Sequence, residues 1–198
     1  DTINREVVTL RGIFARLIGN DYLTKNPTDG VQRLKANDPA FHVITPREEK
    51  AYLLAAQPIL QDCFSLMLET GMRPSEVCNL KKSDVNFEQG YIKISDGKTK
   101  SARRRLPMSD AAEKVLRARF DKTPNEYLFA GGKDGKSEKP IIKLNNAHNG
   151  AVTRAKLKPF RLYDLRHTFA TRACEAGIDL VTVKDLLGHS RLEMVLRY

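Results

Sequence analysis

Ile3, Val7, Leu10, Phe14 and Leu17 recur every three to four residues, the spacing that puts apolar side chains on one helical face, and they predict an amphipathic helix over residues 3–18. Thr2 is placed to cap it and Gly19-Asn20-Asp21 to end it. Asn26-Pro27-Thr28-Asp29-Gly30 carries turn chemistry, and the polar stretch to Pro39 reads as a linker, so a domain boundary is expected near residue 42. A helix that starts almost at residue 1 reads as the remnant of a larger N-terminal element.

Beyond the boundary the pattern changes. Thr45-Pro46-Arg47-Glu48 is a capping box with proline at the first helical position. An apolar helix is expected over about 59–70, closing at Gly71, which tolerates the left-handed conformation of a helix end. Pro74 restarts a short helix to about Leu80, so Arg73 falls at a junction from which a side chain can be aimed into a cleft. Tyr91 to Ile94 alternates as a strand, and Arg104 to Met108 suits a returning strand; the tip between them is rich in amines. Asp110 with Glu113 opens a helix to about Phe120, Tyr127 to Phe129 reads as a short strand, and Gly131 to Lys139 as a polar loop before a helix near 145–156. Asp164 is expected to cap a helix ending before Gly177, and Asp179 one ending before Gly188. The expected fold class is α+β, mainly helical with a small antiparallel sheet.

Composition narrows the partners. Among 198 residues, 34 Lys and Arg against 24 Asp and Glu leave a formal charge of +10, which points to a polyanion and to nucleic acid before membrane. An apolar content of 41% supports a packed core. Cys63, Cys78 and Cys174 show neither disulfide nor zinc spacing, and no apolar run reaches spanning length, so the expected setting is the cytoplasm, with no membrane partner and no metal.

The candidate chemistry lies in an arginine and histidine pattern that ends in a phenol. Arg73 sits in Thr70-Gly-Met-Arg-Pro-Ser-Glu76; Arg166 in Asp164-Leu-Arg-His-Thr-Phe-Ala-Thr; His189 in Leu186-Leu-Gly-His-Ser; Tyr198 follows nine residues later. Guanidinium groups grip two phosphate oxygens, an imidazole can donate to a third, and a phenol can attack phosphorus. Nine residues at about 100° each would set His189 and Tyr198 on opposite faces of one continuous helix, so a break is required. Gly188 supplies it, with Ser190-Arg-Leu-Glu193 as a fresh capping box. His167 points about 100° away from Arg166 and is read as structural. Two rival patterns are present. Ala130 to Ser137 nearly spells a phosphate-binding loop but lacks the strand–loop–helix setting. Ala173, Gly177 and Val183 have helix-turn-helix spacing, which leaves open a DNA-binding regulator with residues 180–187 in the major groove.

Together these motifs resemble the tyrosine recombinase (phage integrase) family over roughly residues 43–198, with residues 1–42 as the last helix of a core-binding domain plus linker. Gly97-Lys98-Thr-Lys100 through Arg105-Leu-Pro107 looks like that family's lysine-bearing hairpin. The resemblance implies cleavage and rejoining of double-stranded DNA through a 3′-phosphotyrosyl intermediate, without metal, nucleotide or other cofactor. It implies Tyr198 as nucleophile, Arg73 and Arg166 on the non-bridging oxygens, His189 as hydrogen-bond donor and Lys98, or alternatively Lys100, as general acid. Where the family's second arginine motif usually opens with histidine, this chain has Tyr163, which at neutral pH donates hydrogen bonds and is a poor base. Lys100, Arg103, Arg104 and Arg105 are expected to contact DNA. A type IB topoisomerase would share the chemistry. Because the family assembles through a segment after the nucleophile and the sequence stops there, a monomer in solution is expected, with higher-order assembly on DNA in a longer protein.

Overall fold

The computed structural model describes residues 2–35, 41–95, 100–132 and 137–198, and the chain divides into two compact units, Asp1–Ala40 and Phe41–Tyr198.

The first unit is built on α1 (Thr2–Gly19), as the apolar periodicity requires. Side-chain amides tie the following turn to it. Asn4 pairs with both backbone groups of Leu34, donating to the carbonyl at 2.8 Å and accepting from the amide at 2.9 Å. Arg11 donates to the carbonyls of Thr28 and Val31 at 3.0 and 3.1 Å. Within the turn, Asn26 Oδ1 accepts from the amide and hydroxyl of Thr28, the local bonding that makes asparagine a turn residue.

In the second unit, α2 (Pro46–Ala55) starts on the complete Thr45/Glu48 capping box. The central helix α3 (Pro58–Thr70) packs against α5 (Asp110–Lys122) and α7 (Leu162–Glu175). It is apolar on most sides because it is covered on most sides: Leu60, Cys63, Phe64, Leu66 and Met67 are fully buried. Tyr52 of α2 stacks on Phe64 at 4.2 Å and donates its hydroxyl to His148 Nδ1 at 2.9 Å. His148, on α6 (Asn145–Arg154), in turn donates from Nε2 to the Phe160 carbonyl at 2.8 Å, so this core histidine has both ring nitrogens satisfied.

A three-stranded antiparallel sheet flanks the helices in the order β1 (Val85–Asn86), β2 (Tyr91–Ile94), β3 (Arg104–Pro107). Its register pairs Ile92 with Leu106 and Lys93 with Arg105. Strand alternation therefore turns Ile92, Ile94, Arg104 and Leu106 inward and leaves Lys93 and Arg105 outside. A smaller apolar cluster of Ala170, Ala173, Val183, Leu187 and Val195 joins α7 to α8 (Leu180–Leu187) and the C-terminal segment.

Three local expectations are corrected. α7 begins at Leu162, and Asp164 lies one turn inside it, accepting from the Arg161 amide through Oδ2 at 2.8 Å. A carboxylate there still serves a free helical N–H, which explains why it reads as a cap. The capping box at Ser190 does not form; the chain makes one 3-10 turn, Leu192–Met194, after Arg191. Tyr127 makes only an isolated bridge to Lys81 instead of a strand. Residues 133–136 of the near phosphate-binding loop lie outside the described residues; Ala130 is bridged to Pro140, and among the described residues the next helix is Asn145–Arg154.

Candidate active site

Gly71 (φ 65°) ends α3 in the left-handed conformation, and α4 (Pro74–Cys78) restarts after it, which places Arg73 at the corner between them. Gly188 (φ 65°) ends α8 in the same way and delivers His189. Arg166, on α7, is fully buried and bridges the two corners: Nη1 donates to the Gly71 carbonyl at 2.8 Å and Nη2 to the Leu187 carbonyl. One side chain thus ties together two helix ends that are far apart in sequence, each two residues before a candidate catalytic group.

Glu76 lies under this arrangement. Its Oε1 accepts from Arg73 Nη1 at 2.7 Å and from Arg104 Nη1 at 3.0 Å, and its Oε2 from Arg104 Nη2 at 2.8 Å and from the Arg73 amide at 2.8 Å. Arg104 also donates from Nε to the Leu186 carbonyl at 2.6 Å and from Nη1 to Ala102 at 3.0 Å. Expected as a DNA contact, Arg104 is instead turned inward by the strand pleat and committed to Glu76 and α8. Burial alone would raise the Glu76 pKa, but the hydrogen bonds and charges of Arg104 and Arg73 hold it below the ordinary carboxylate value. In the sequence Glu76 belongs to a helix start, and its spacing of three from Arg73 is that of a residue reaching back to a helix's first amide.

The surroundings of Arg166 and His189 are strongly positive. Burial, then the neighbouring Arg73, lowers Arg166 to about 10. Among the described residues, Arg166 Nε and His189 Nδ1 are buried polar atoms without a partner. Burial and the charges of Arg166, Arg73 and Arg104 push His189 down to about 4, so it is neutral at physiological pH. Buried nitrogens left without partners amid this much positive charge suit an anion.

Tyr198 packs on the small cluster of α7 and α8, and its hydroxyl lies 2.5 Å from His167 Nδ1. Burial raises its pKa to about 12, with the Arg166 and Arg197 charges acting in the opposite direction. Phe41 stacks on the His167 ring at 4.7 Å and meets Tyr198 edge-on at 5.6 Å. Sequence reading treated His167 as structural; the structure makes it the partner of the phenol. Tyr163, one turn earlier on the same face of α7, sets its ring against His167 at 5.3 Å and lies 6.0 Å from the Arg166 guanidinium. Lys98 falls outside the described residues, and Lys100 opens the 3-10 turn Lys100–Ala102 at the foot of β3. Arg103 and Arg105 are exposed, the latter over the Tyr91 ring at 4.7 Å. Among the described residues there is no group of three acidic, histidine or cysteine side chains that could hold a metal, and no helix is long and apolar enough to cross a membrane.

A mainly helical domain with a three-stranded sheet, which brings two arginines, a histidine and a tyrosine within electrostatic reach of one another, has an arrangement suited to phosphoryl transfer. The phage integrase family model matches residues 42–198. The chain is 29% identical to the tyrosine recombinase of Pseudothermotoga lettingae over 201 residues, covering 96% of this chain and 67% of that protein. It is 36% identical to the tyrosine recombinase XerA of Pyrococcus furiosus over 134 residues, covering 64% of this chain and 45% of that protein. Among solved structures, the Tn1549 transposon integrase in complex with a circular intermediate DNA superposes with a TM-score of 0.84 at 23% identity, over 100% of this chain and 74% of that chain. A lambda integrase dimer bound to a COC′ core site gives 0.78 at 22%, over 97% of this chain and 57% of that chain. These two likenesses carry the fold. The chain belongs to the phage integrase family, whose catalytic domains are tyrosine-type DNA strand transferases.

Proposed function

We propose that this chain supplies the catalytic domain of a site-specific DNA recombinase or integrase, preceded by the last helix of a core-binding domain, which acts on double-stranded DNA in the cytoplasm and assembles into higher-order complexes on it. Tyr198 Oη attacks the scissile phosphorus, the P–O5′ bond breaks, and a 3′-phosphotyrosyl enzyme and a 5′-hydroxyl result. Arg73 and Arg166 neutralise the non-bridging oxygens as charge builds, and His189 donates from Nδ1. Lys98, or Lys100, protonates the departing O5′. One phosphodiester is exchanged for another, so no external energy source is consumed. Outside the pocket, the exposed Lys93 and Arg105 stand directly opposite each other in the β2–β3 ladder. Such a pair of like charges is unfavourable in a free sheet and becomes favourable against a phosphate backbone.

The observation that carries this reading is Arg166, a buried guanidinium tied to two helix ends and faced by the charge of Arg73. The test is a library of nicked duplexes of random sequence, from which detergent-stable protein–DNA adducts are captured and sequenced. Wild-type protein should yield adducts with a shared sequence, and Tyr198→Phe none. Adducts with no sequence preference would indicate a topoisomerase, and reversible binding without adducts would overturn the catalytic reading.

A further inference from the structure

The phenol of Tyr198 has to lose a proton as it attacks phosphorus, and burial makes that proton harder to remove. Three groups lie near enough to be considered. Tyr163 is itself a phenol, 39% exposed, and meets the His167 ring rather than the nucleophile. His189 lies within reach of the charges of Arg166, Arg73 and Arg104. His167 alone among the described residues has a hydrogen bond to the Tyr198 hydroxyl, at 2.5 Å through Nδ1.

Resting on the reading of Tyr198 as nucleophile, we propose that His167 is the catalytic general base of this enzyme: it takes the Tyr198 proton during cleavage and returns it on rejoining. The geometry is that of a nucleophile and its base, with the base held by a third group. Phe41 stacks on the imidazole and meets the phenol edge-on, so one aromatic ring packs against both partners of the hydrogen bond. In the forward step the Oη–H bond breaks as Oη–P forms, and the proton passes to Nδ1, giving an imidazolium. The pair of electrons in P–O5′ leaves with O5′, which is protonated by the general acid. Rejoining reverses each transfer.

Electrostatics keep the ring neutral in the free protein and oppose its protonation until a substrate is bound. Burial first, then Arg197, Arg161 and Arg166, lower the His167 pKa to about 4 against the opposing pull of Asp164, so Nδ1 holds a free lone pair at neutral pH. His189 and the phenol of Tyr198 are neutral there as well. A phosphodiester bound at Arg166 adds a negative charge beside the ring, and that raises its basicity when the substrate is present.

The experiment measures single-turnover adduct formation on a nicked duplex with wild type, His167→Ala and His167→Asn. Asparagine keeps a hydrogen-bonding group near the Nδ1 position without its basicity. Both variants should slow adduct formation by about 10²- to 10³-fold at unchanged DNA affinity, and His167→Asn should lose the acidic limb of the rate–pH profile. A second reaction separates proton transfer from scaffolding. A 5′-hydroxyl strand is joined to an oligonucleotide ending in 3′-p-nitrophenyl phosphate, with release of p-nitrophenolate and no need for Tyr198 or its base. Measured with the Tyr198→Phe protein, this joining should not show the loss when His167→Asn is added. Adduct formation at the wild-type rate in either variant would overturn the proposal, as would an equal slowing of the p-nitrophenyl reaction, which would make His167 a structural residue. Failure of wild type itself to form adducts would instead bring down the functional reading beneath it.

Discussion

Arg166 donates to the carbonyl of Gly71 across 95 residues of chain, at 2.8 Å. Gly71 ends α3, two residues before Arg73, and the other arm of the same guanidinium holds Leu187, two residues before His189. The spacing of the helix ends that carry Arg73 and His189 is thus set by one planar cation whose N–H groups diverge at fixed angles. An ammonium cannot reproduce that fork. Arg166→Lys should reduce adduct formation by about 100-fold or more and lower the thermal midpoint. A variant that kept a tenth of the wild-type rate would show that charge without the fork suffices.

Glu76 is the carboxylate that holds Arg73 and Arg104 together, with its side chain and that of Arg104 exposed by only 7% and 6%. Removing one partner from such a pair leaves a buried charge uncompensated. Glu76→Gln should therefore cost about 3–5 kcal/mol of unfolding free energy, measured by denaturant titration. Pairing it with Arg104→Met should recover much of that loss, since the orphaned cation is gone. Additive losses in the double variant would contradict the coupling.

The elements legible in the sequence are those with local chemistry: the capping box at Thr45, the left-handed ends at Gly71 and Gly188, and the alternation of Tyr91 to Ile94. The order of Arg73, Arg166, His189 and Tyr198 marked the site through the family it resembles. What escaped depends on register or tertiary contact. Arg103, Arg104 and Arg105 are alike in type, and only the parity set by inward-facing Leu106 decides that the middle one is buried. β1 is two residues long, too short to show a period. His167 was set aside because it points away from Arg166 on their shared helix. Its partner comes from the C-terminal segment, which helical spacing on α7 cannot reveal.

Acid should weaken the free protein. His167 and His189 are both lowered to about 4, chiefly by burial, whereas the unfolded chain takes up those protons near ~6.5. The unfolded state therefore binds more protons between these values. The stability due to keeping both rings neutral is complete above ~6.5 and is lost as pH falls towards 4. Denaturant midpoints should drop steadily between pH 7 and pH 4.5 by more than in His189→Gln, which lacks one of the two groups. Equal slopes would show that His189 is not buried in its neutral form.

Lys93 and Arg105 offer a measurement that separates surface contacts from scaffolding, because neighbouring arginines on one strand have opposite fates. Arg105 is exposed and opposes Lys93, whereas Arg104 is spent on Glu76 and the Leu186 carbonyl. Each phosphate contact releases condensed counterions, so its loss flattens the dependence of log K on log salt by about one unit. Arg105→Ala and Lys93→Ala should each flatten that slope with little change in thermal stability. Arg104→Ala should lower the thermal midpoint while leaving the slope near that of wild type. The reverse pattern, a flattened slope from Arg104→Ala and none from Arg105→Ala, would mean that β3 presents its other face to DNA.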